Sequence, residues 1–251
     1  MRTRLSLLLV LFAVLSIQVF GKSPKEVAPF KKQMISRQQA TEDIDSLIYI
    51  LSDIHPNIYT HISPSDLLSQ VENVKRSLPD SIDKLEFYRL TAPIVTSIGY
   101  GHTSLWFPIS EVSQKEILRF PLMVNVNSND STIPTRMTLY GIPNGAKILS
   151  INGIGYKNII EQMLPYVSGE QTFLKVQRID GDVIAFFMML FRADKYDFVY
   201  MDNGIISKCT LPAVDVLDKQ NQMQKYQSDY TQPQISYRIV DNKVAIMTVP
   251  T

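Results

Sequence analysis

From Ser36 onward the apolar positions recur at helical spacing. Ile44, Leu47, Ile48 and Leu51 fall on one face of a helix. Ser36 and Gln39 have capping-box spacing, which satisfies orphan amides at a helix start. His55-Pro56 predicts its end, because the residue before proline avoids the helical region. Ser63-Pro64 opens a second helix, with the serine as cap and the proline in the first turn. Leu67, Leu68, Val71 and Val74 form its stripe, and Pro79 stops it. A third helix is predicted from about Ile82 to Ile98, with Leu85, Tyr88, Ala92 and Val95 on one side and Pro93 as a kink. Three helices with short links read as a helical module.

After Phe120 the period changes to two. Leu122, Val124 and Val126 alternate with other residues as in a strand, and 135–140 is a second strand. Residues 141–145 form a turn and 147–151 a short apolar strand, followed by the hairpin signal Asn152-Gly153. Residues 157–164 read as a short helix. Residues 173–179 and 183–191 look like strands joined through Asp180-Gly181-Asp182. Residues 196–200 and 205–211 flank a tight turn at Asp202-Asn203-Gly204. The expectation is a mainly β region with one small helix.

The ends of the chain differ from this body. Arg2 and Arg4 precede an apolar run over 5–20, and Val19-Phe20-Gly21 suits a signal peptidase. This pattern predicts an export signal over 1–21, with Lys22 near the mature start and no membrane anchor after cleavage. Destinations are the periplasm, the cell envelope or the extracellular space. Residues 22–35 are polar and read as a tether, and 218–234 as an exposed linker. Residues 235–240 and 243–249 resemble a hairpin across Asp241-Asn242, which cannot bury a core by itself. That feature predicts the front part of a longer design. The expected division is signal 1–21, tether 22–35, helical module 36–118, mainly β domain 119–217, linker 218–234 and a final segment 235–251.

Composition narrows the function. A hydrophobic content of 45% suffices for a real core. A net charge of +1 gives no basic face for nucleic acid. Cys209 is the single cysteine, so an internal disulfide is excluded, and its strand-like setting predicts a buried structural thiol. Asn129-Asp130-Ser131 fits a glycosylation acceptor, a pattern common by chance. There is no phosphate-binding glycine loop and no Gly-x-Ser-x-Gly elbow. His55, His61 and Asp53 lack metal-ligand spacing and read as packing at a helix end, so no metal and no cofactor is expected. Met188-Met189 reads as part of a buried strand. His102 sits in Ser97-Ile98-Gly99-Tyr100-Gly101-His102-Thr103-Ser104, between glycines and hydroxyls. Such a loop presents a general base, or holds a histidine that merely bonds to a turn.

These segments, in this order, resemble the tail-specific, or C-terminal processing, serine peptidases, including the tricorn core protease. The resemblance is carried by His55-Pro56-Asn57-Ile58-Tyr59, by Leu85-Glu86-Phe87-Tyr88-Arg89-Leu90 and by Gly99-Tyr100-Gly101-His102-Thr103-Ser104-Leu105. The run from Gly141 to Gly153 is similar to the central turn and strand of PDZ modules. The segment from Ile235 to Ile246 looks like the opening hairpin of the family's catalytic domain. The resemblance implies an α+β fold: an N-terminal helical module, a mainly β PDZ-like domain and the first hairpin of a truncated catalytic domain. It implies a serine-type peptidase acting on peptide or unfolded polypeptide, with His102 as general base and Thr103 or Ser104 orienting it. Peptide would dock near Leu122, Val124 and Val126, or on the helix at 157–164. The nucleophilic serine would belong to the catalytic domain that starts near Ile235, so the chain as given is not expected to hydrolyse peptides. The alternative is a non-catalytic exported peptide-binding module, and a third is a structural envelope protein without affinity for peptides.

Overall fold

A computed structural model of the chain describes residues 33–114, 117–127, 132–137, 141–215, Gln220, Gln224, 236–240 and 244–248. The export segment 1–21, most of the tether, the Asn129-Asp130-Ser131 sequon and nearly all of 218–234 lie outside the described residues.

The helix signals translate directly. Helix α1 runs over Arg37–Ile54, and Ser36 and Gln39 make the full reciprocal capping box. Helix α2 (Pro64–Ser77) starts on the Ser63 side chain, which accepts from the Asp66 N–H. Helix α3 spans Lys84–Thr96, shorter than expected, because Asp83 caps it through the Glu86 N–H and Pro93 lies in its last turn. Ile82, expected inside that helix, lies instead in strand β2 (Ser81–Asp83). β2 pairs antiparallel with β1 (Met34–Ser36), Ile35 opposite Ile82. The last part of the expected tether is therefore a strand. Its Ile35 packs against the helical core, which a purely polar tether would not do.

Helix α4 (Ile109–Val112) leads to a sheet ordered β3-β4-β5-β7-β8, with β6 on β5. Its strands are β3 (Met123–Val124), β4 (Ile133–Met137), β5 (Lys147–Ile151), β6 (Ile154–Gly155), β7 (Lys195–Asp202) and β8 (Ile205–Pro212). β3 is shorter than the alternation suggested, and its register with β4 shifts between Met123 and Val124. Both Asn-Gly turns take positive φ at both central residues: Asn152 at 49° and Gly153 at 79°, Asn203 at 47° and Gly204 at 80°. That is the hairpin turn whose twist matches the flanking strands. Helix α5 (Tyr156–Met163) packs on this sheet.

The largest departure is helix α6, Thr172–Leu190, where two strands were expected. Asp180-Gly181-Asp182 is not a turn but the middle of that helix. Val176, Ile179, Val183, Phe186 and Phe187 are buried at helical spacing, and Met188 and Met189 are buried beside them. The region is thus α+β, not mainly β with one small helix. A parallel-displaced stack holds the helix to the start of the sheet domain. Phe120 stacks on Phe187 with centroids 4.2 Å apart and meets Tyr196 edge-on at 5.0 Å. Such pairs add about 0.5–1.5 kcal/mol each beyond their buried area.

Two apolar clusters result. One collects Ala40, Ile44, Leu67, Val71, Ile82 and Ile98 among the first three helices. The other lies between the sheet, α5 and α6. Helix α3 serves both, with Ile94 in the first and Tyr88 and Ala92 in the second. Strands β9 (Ser236–Val240) and β10 (Val244–Thr248) form a sheet of their own. Tyr237, Ile239, Val244 and Met247 on it are exposed. Among the described residues, no helix is long and apolar enough to cross a membrane.

Candidate active site and docking groove

The loop after α3 carries His102, and its shape comes from Gly99. Gly99 has φ +81°, and a Cβ there would lie 2.8 Å from His61 Cβ. The glycine therefore lets the loop pass against the segment after α1. Tyr100 then inserts between two histidines, edge-on to His55 at 4.8 Å and tilted to His61 at 5.4 Å. Its hydroxyl lies 3.1 Å from Thr60 Oγ1. His55 and His61 thus pack a loop, the role expected for them.

Thr103 partners His55, not His102. His55 Nε2 lies 3.1 Å from Thr103 Oγ1, and His55 Nδ1 accepts from the Asn57 N–H at 3.2 Å. With Nδ1 as acceptor, the neutral ring carries its proton on Nε2 and donates it to Thr103.

The loop is braced from its other side by the segment before α6. The Gly101 N–H donates to Glu170 Oε1 at 3.0 Å. The Ser168 hydroxyl donates to the Thr103 carbonyl, and Arg178 Nη1 donates to the Ser168 carbonyl at 3.1 Å. A Cβ on Gly101 would meet Arg178 Nη2 at 3.1 Å. The Gly101 N–H, then the residue's own N–H, then His61 and Arg178 hold the Glu170 carboxyl below the usual carboxylate range. Glu170, Ser168 and Arg178 were invisible to sequence reasoning. Gly101 and Glu170 are 69 residues apart, and no local pattern links them.

His102 itself is exposed and, among the described residues, its ring makes no hydrogen bond. It lines a cavity of about 480 Å³ with Thr103 and Ser104, walled by Leu47, Leu51 and Ile54 of α1 and by Leu105. Ser104 is exposed and also borders the neighbouring hollow beside Trp106, which is 97% exposed. The arrangement is a braced loop that offers an imidazole, unengaged among the described residues, at the lip of an apolar hollow. An imidazole so placed can take or give a proton on a bound group.

Leu122, Val124 and Val126 are buried, at 1%, 3% and 4% exposure. The side chains of Leu122 and Val126 belong to the core and line no docking surface, contrary to the expectation, whereas Val124 also borders the groove described next. The backbone they belong to is a different matter. β3 is the edge of the sheet. The N–H groups of Asn125 and Asn127 bond to Pro134 and Thr132 on the β4 side. The alternation of an antiparallel ladder then turns Val124 to the open edge. The Val126 N–H donates to Asp180 Oδ1 of α6 at 2.5 Å. Between β3 and α6 runs a groove of about 510 Å³, lined by Val124, Val183, Met188, Asp180, Arg136 and Arg119, among others. Sequence reading missed Arg119, whose signal was a charge inside the apolar run Ile117-Leu118-Arg119-Phe120. Cys209 is half-buried rather than buried, and desolvation pushes its thiol up, away from the nucleophilic thiolate.

No protein-family model and no curated protein sequence matches the chain. Solved structures do. The crystal structure of mature CPAF aligns with 84% of this chain and 46% of its own, at a TM-score of 0.50 and 9% identity. Mature CPAF complexed with lactacystin aligns with 79% of this chain and 39% of its own, at a TM-score of 0.51 and 10% identity. The chain spans less than half the length of either structure. At such identity the likeness is one of fold: the chain is built like part of the chlamydial protease CPAF, a serine protease of the tail-specific type.

Proposed function

We propose that the chain forms the helical and PDZ-like part of an exported serine-type peptidase, with His102 as general base. The observation that carries this reading is the His102 loop. It is pinned by His55 on one side and by Glu170 and Ser168 on the other, while among the described residues the imidazole itself stays unengaged. The fold likeness to part of CPAF supports it. Export rests on Arg2, Arg4 and the apolar run over 5–20. In this reading His102 takes the proton of a serine hydroxyl supplied by the catalytic domain as the oxygen attacks a peptide carbonyl. It then returns the proton to the leaving amine. Extended polypeptide docks along the β3 edge by strand addition.

The protein from its full reading frame tests this, incubated with an unfolded fluorogenic polypeptide. His102→Ala at an unchanged melting temperature is expected to lower hydrolysis by about 10²–10⁴-fold. An unchanged rate overturns the role of His102.

A second reading has its own support. The groove between β3 and α6 runs beside the edge strand of the sheet and is lined without His102, which suits peptide capture without catalysis. Peptide binding with no hydrolysis by the full-length protein would favour it.

A further inference from the structure

The backbone on either side of His102 is held by two chemically different groups. The Thr103 N–H donates to the Tyr100 carbonyl at 3.0 Å. Gly101 and His102 are therefore the two central residues of a β-turn, and the direction of the imidazole follows how that turn stands. Thr103, at the exit, is held twice. Its hydroxyl meets His55 Nε2, and its carbonyl accepts from Ser168, which is 1% exposed. Arg178 in turn holds the Ser168 carbonyl. Gly101, at the entry, is held once among the described residues, by the Glu170 carboxylate on its N–H at 3.0 Å. Without Glu170 the turn keeps its exit and loses its entry. It is then free to rock about Thr103 and carry His102 with it.

We propose that Glu170 is a positioning residue for His102, the releasable arm of a clamp that straddles the base. The proposal rests on the reading of His102 as general base and adds how that base is regulated. Ser168 holds the turn through a hydroxyl, which stays neutral. Glu170 holds it through a carboxylate, in a charge-assisted bond that protonation weakens. The carboxyl faces the Gly101 N–H, its own N–H, His61 from the segment after α1 and Arg178 from α6. Each of these favours the charged form, and together they hold it below the usual carboxylate range. The folded pKa is the depressed one. The arm is therefore complete above the unfolded value of about 4.3 and is lost as pH falls through the folded value. Acid disengages the base while Thr103 still fastens the loop.

The test pairs kinetics with NMR. The protein from its full reading frame is given an unfolded fluorogenic polypeptide at neutral pH, unaltered and as His102→Ala, Glu170→Ala and Glu170→Gln. Glu170→Ala is expected to lower kcat by roughly 10–100-fold, the scale on which a small misplacement acts, with KM and melting temperature unchanged. Glu170→Gln keeps an oxygen acceptor and should recover most of kcat. In the isotope-labelled unaltered protein the Gly101 amide signal should shift with an inflection below the usual carboxylate range, and Glu170→Gln should abolish it. A merely structural carboxylate would move the melting temperature along with kcat. An unchanged kcat in Glu170→Ala, beside a large loss in His102→Ala, overturns the clamp and leaves the base standing. A kcat loss matched by a lower melting temperature does the same, as does a Gly101 amide that does not follow Glu170. An unchanged rate in His102→Ala, or no hydrolysis by the unaltered protein, overturns the base and the proposal together. If Glu170→Ala does not fold, Glu170→Asp, which keeps the charge and shortens the reach, takes its place with the same expected loss of kcat.

Discussion

The Thr103 hydroxyl lies 3.1 Å from Nε2 of His55, so the loop that presents His102 is fastened to the cap at the end of α1. Thr103→Val keeps the shape and removes the acceptor. The half-buried imidazole N–H is then left unpaired, at a cost of about 1–3 kcal/mol. Urea unfolding should show that loss, and Thr103→Ser should recover most of it.

Gly99 answers to two constraints at once. Its φ of +81° disfavours any side chain, and its Cβ would fall 2.8 Å from His61 Cβ. Gly99→Ala is expected to destabilise by about 1–3 kcal/mol. Adding His61→Gly removes the clash but not the backbone strain, so stability should return only in part. Full restoration in the double variant would show that the strain carries no cost.

Gly181 distinguishes a helix from a turn. It sits inside α6, and a Cβ there meets nothing within 4 Å. Gly181→Ala should stabilise the chain by roughly 0.5–1 kcal/mol, the helix-interior preference of alanine. A destabilised variant in the same denaturation experiment would point to the turn instead.

Tyr88 should titrate late. Burial foremost, then the charges of Asp182 and Tyr166, push its phenol up to about 12. In the unfolded chain the phenol ionises near its ordinary value of about 10. The folded pKa is the higher one, so this contribution to stability is complete below the unfolded value. It is lost as pH rises through the folded one. Denaturation between these pH values should therefore show a decline that Tyr88→Phe reduces.

Much of the architecture was legible because its signals are local. Ser36 with Gln39, Ser63 with Pro64, and the two Asn-Gly pairs each determine their own few residues. Helix α6 was not legible. Two apolar runs split by Asp-Gly-Asp fit a strand pair as well as a helix, and the deciding partners lie far away. Phe120 stacks on Phe187 and donates its N–H to Met188 Sδ. The same limit hid the brace of the His102 loop, since Glu170 and Arg178 acquire meaning only once α6 has folded beside it.

The pairing of β1 with β2 bears on where the chain can be cut. Helical periodicity begins after Ser36, and a truncation made there looks harmless on paper. It would strip one strand from a two-stranded sheet, since Met34, Ile35 and Ser36 face Asp83, Ile82 and Ser81. It would also uncover the edge of the segment that starts α3. An expression boundary that respects the folded unit lies upstream of Met34.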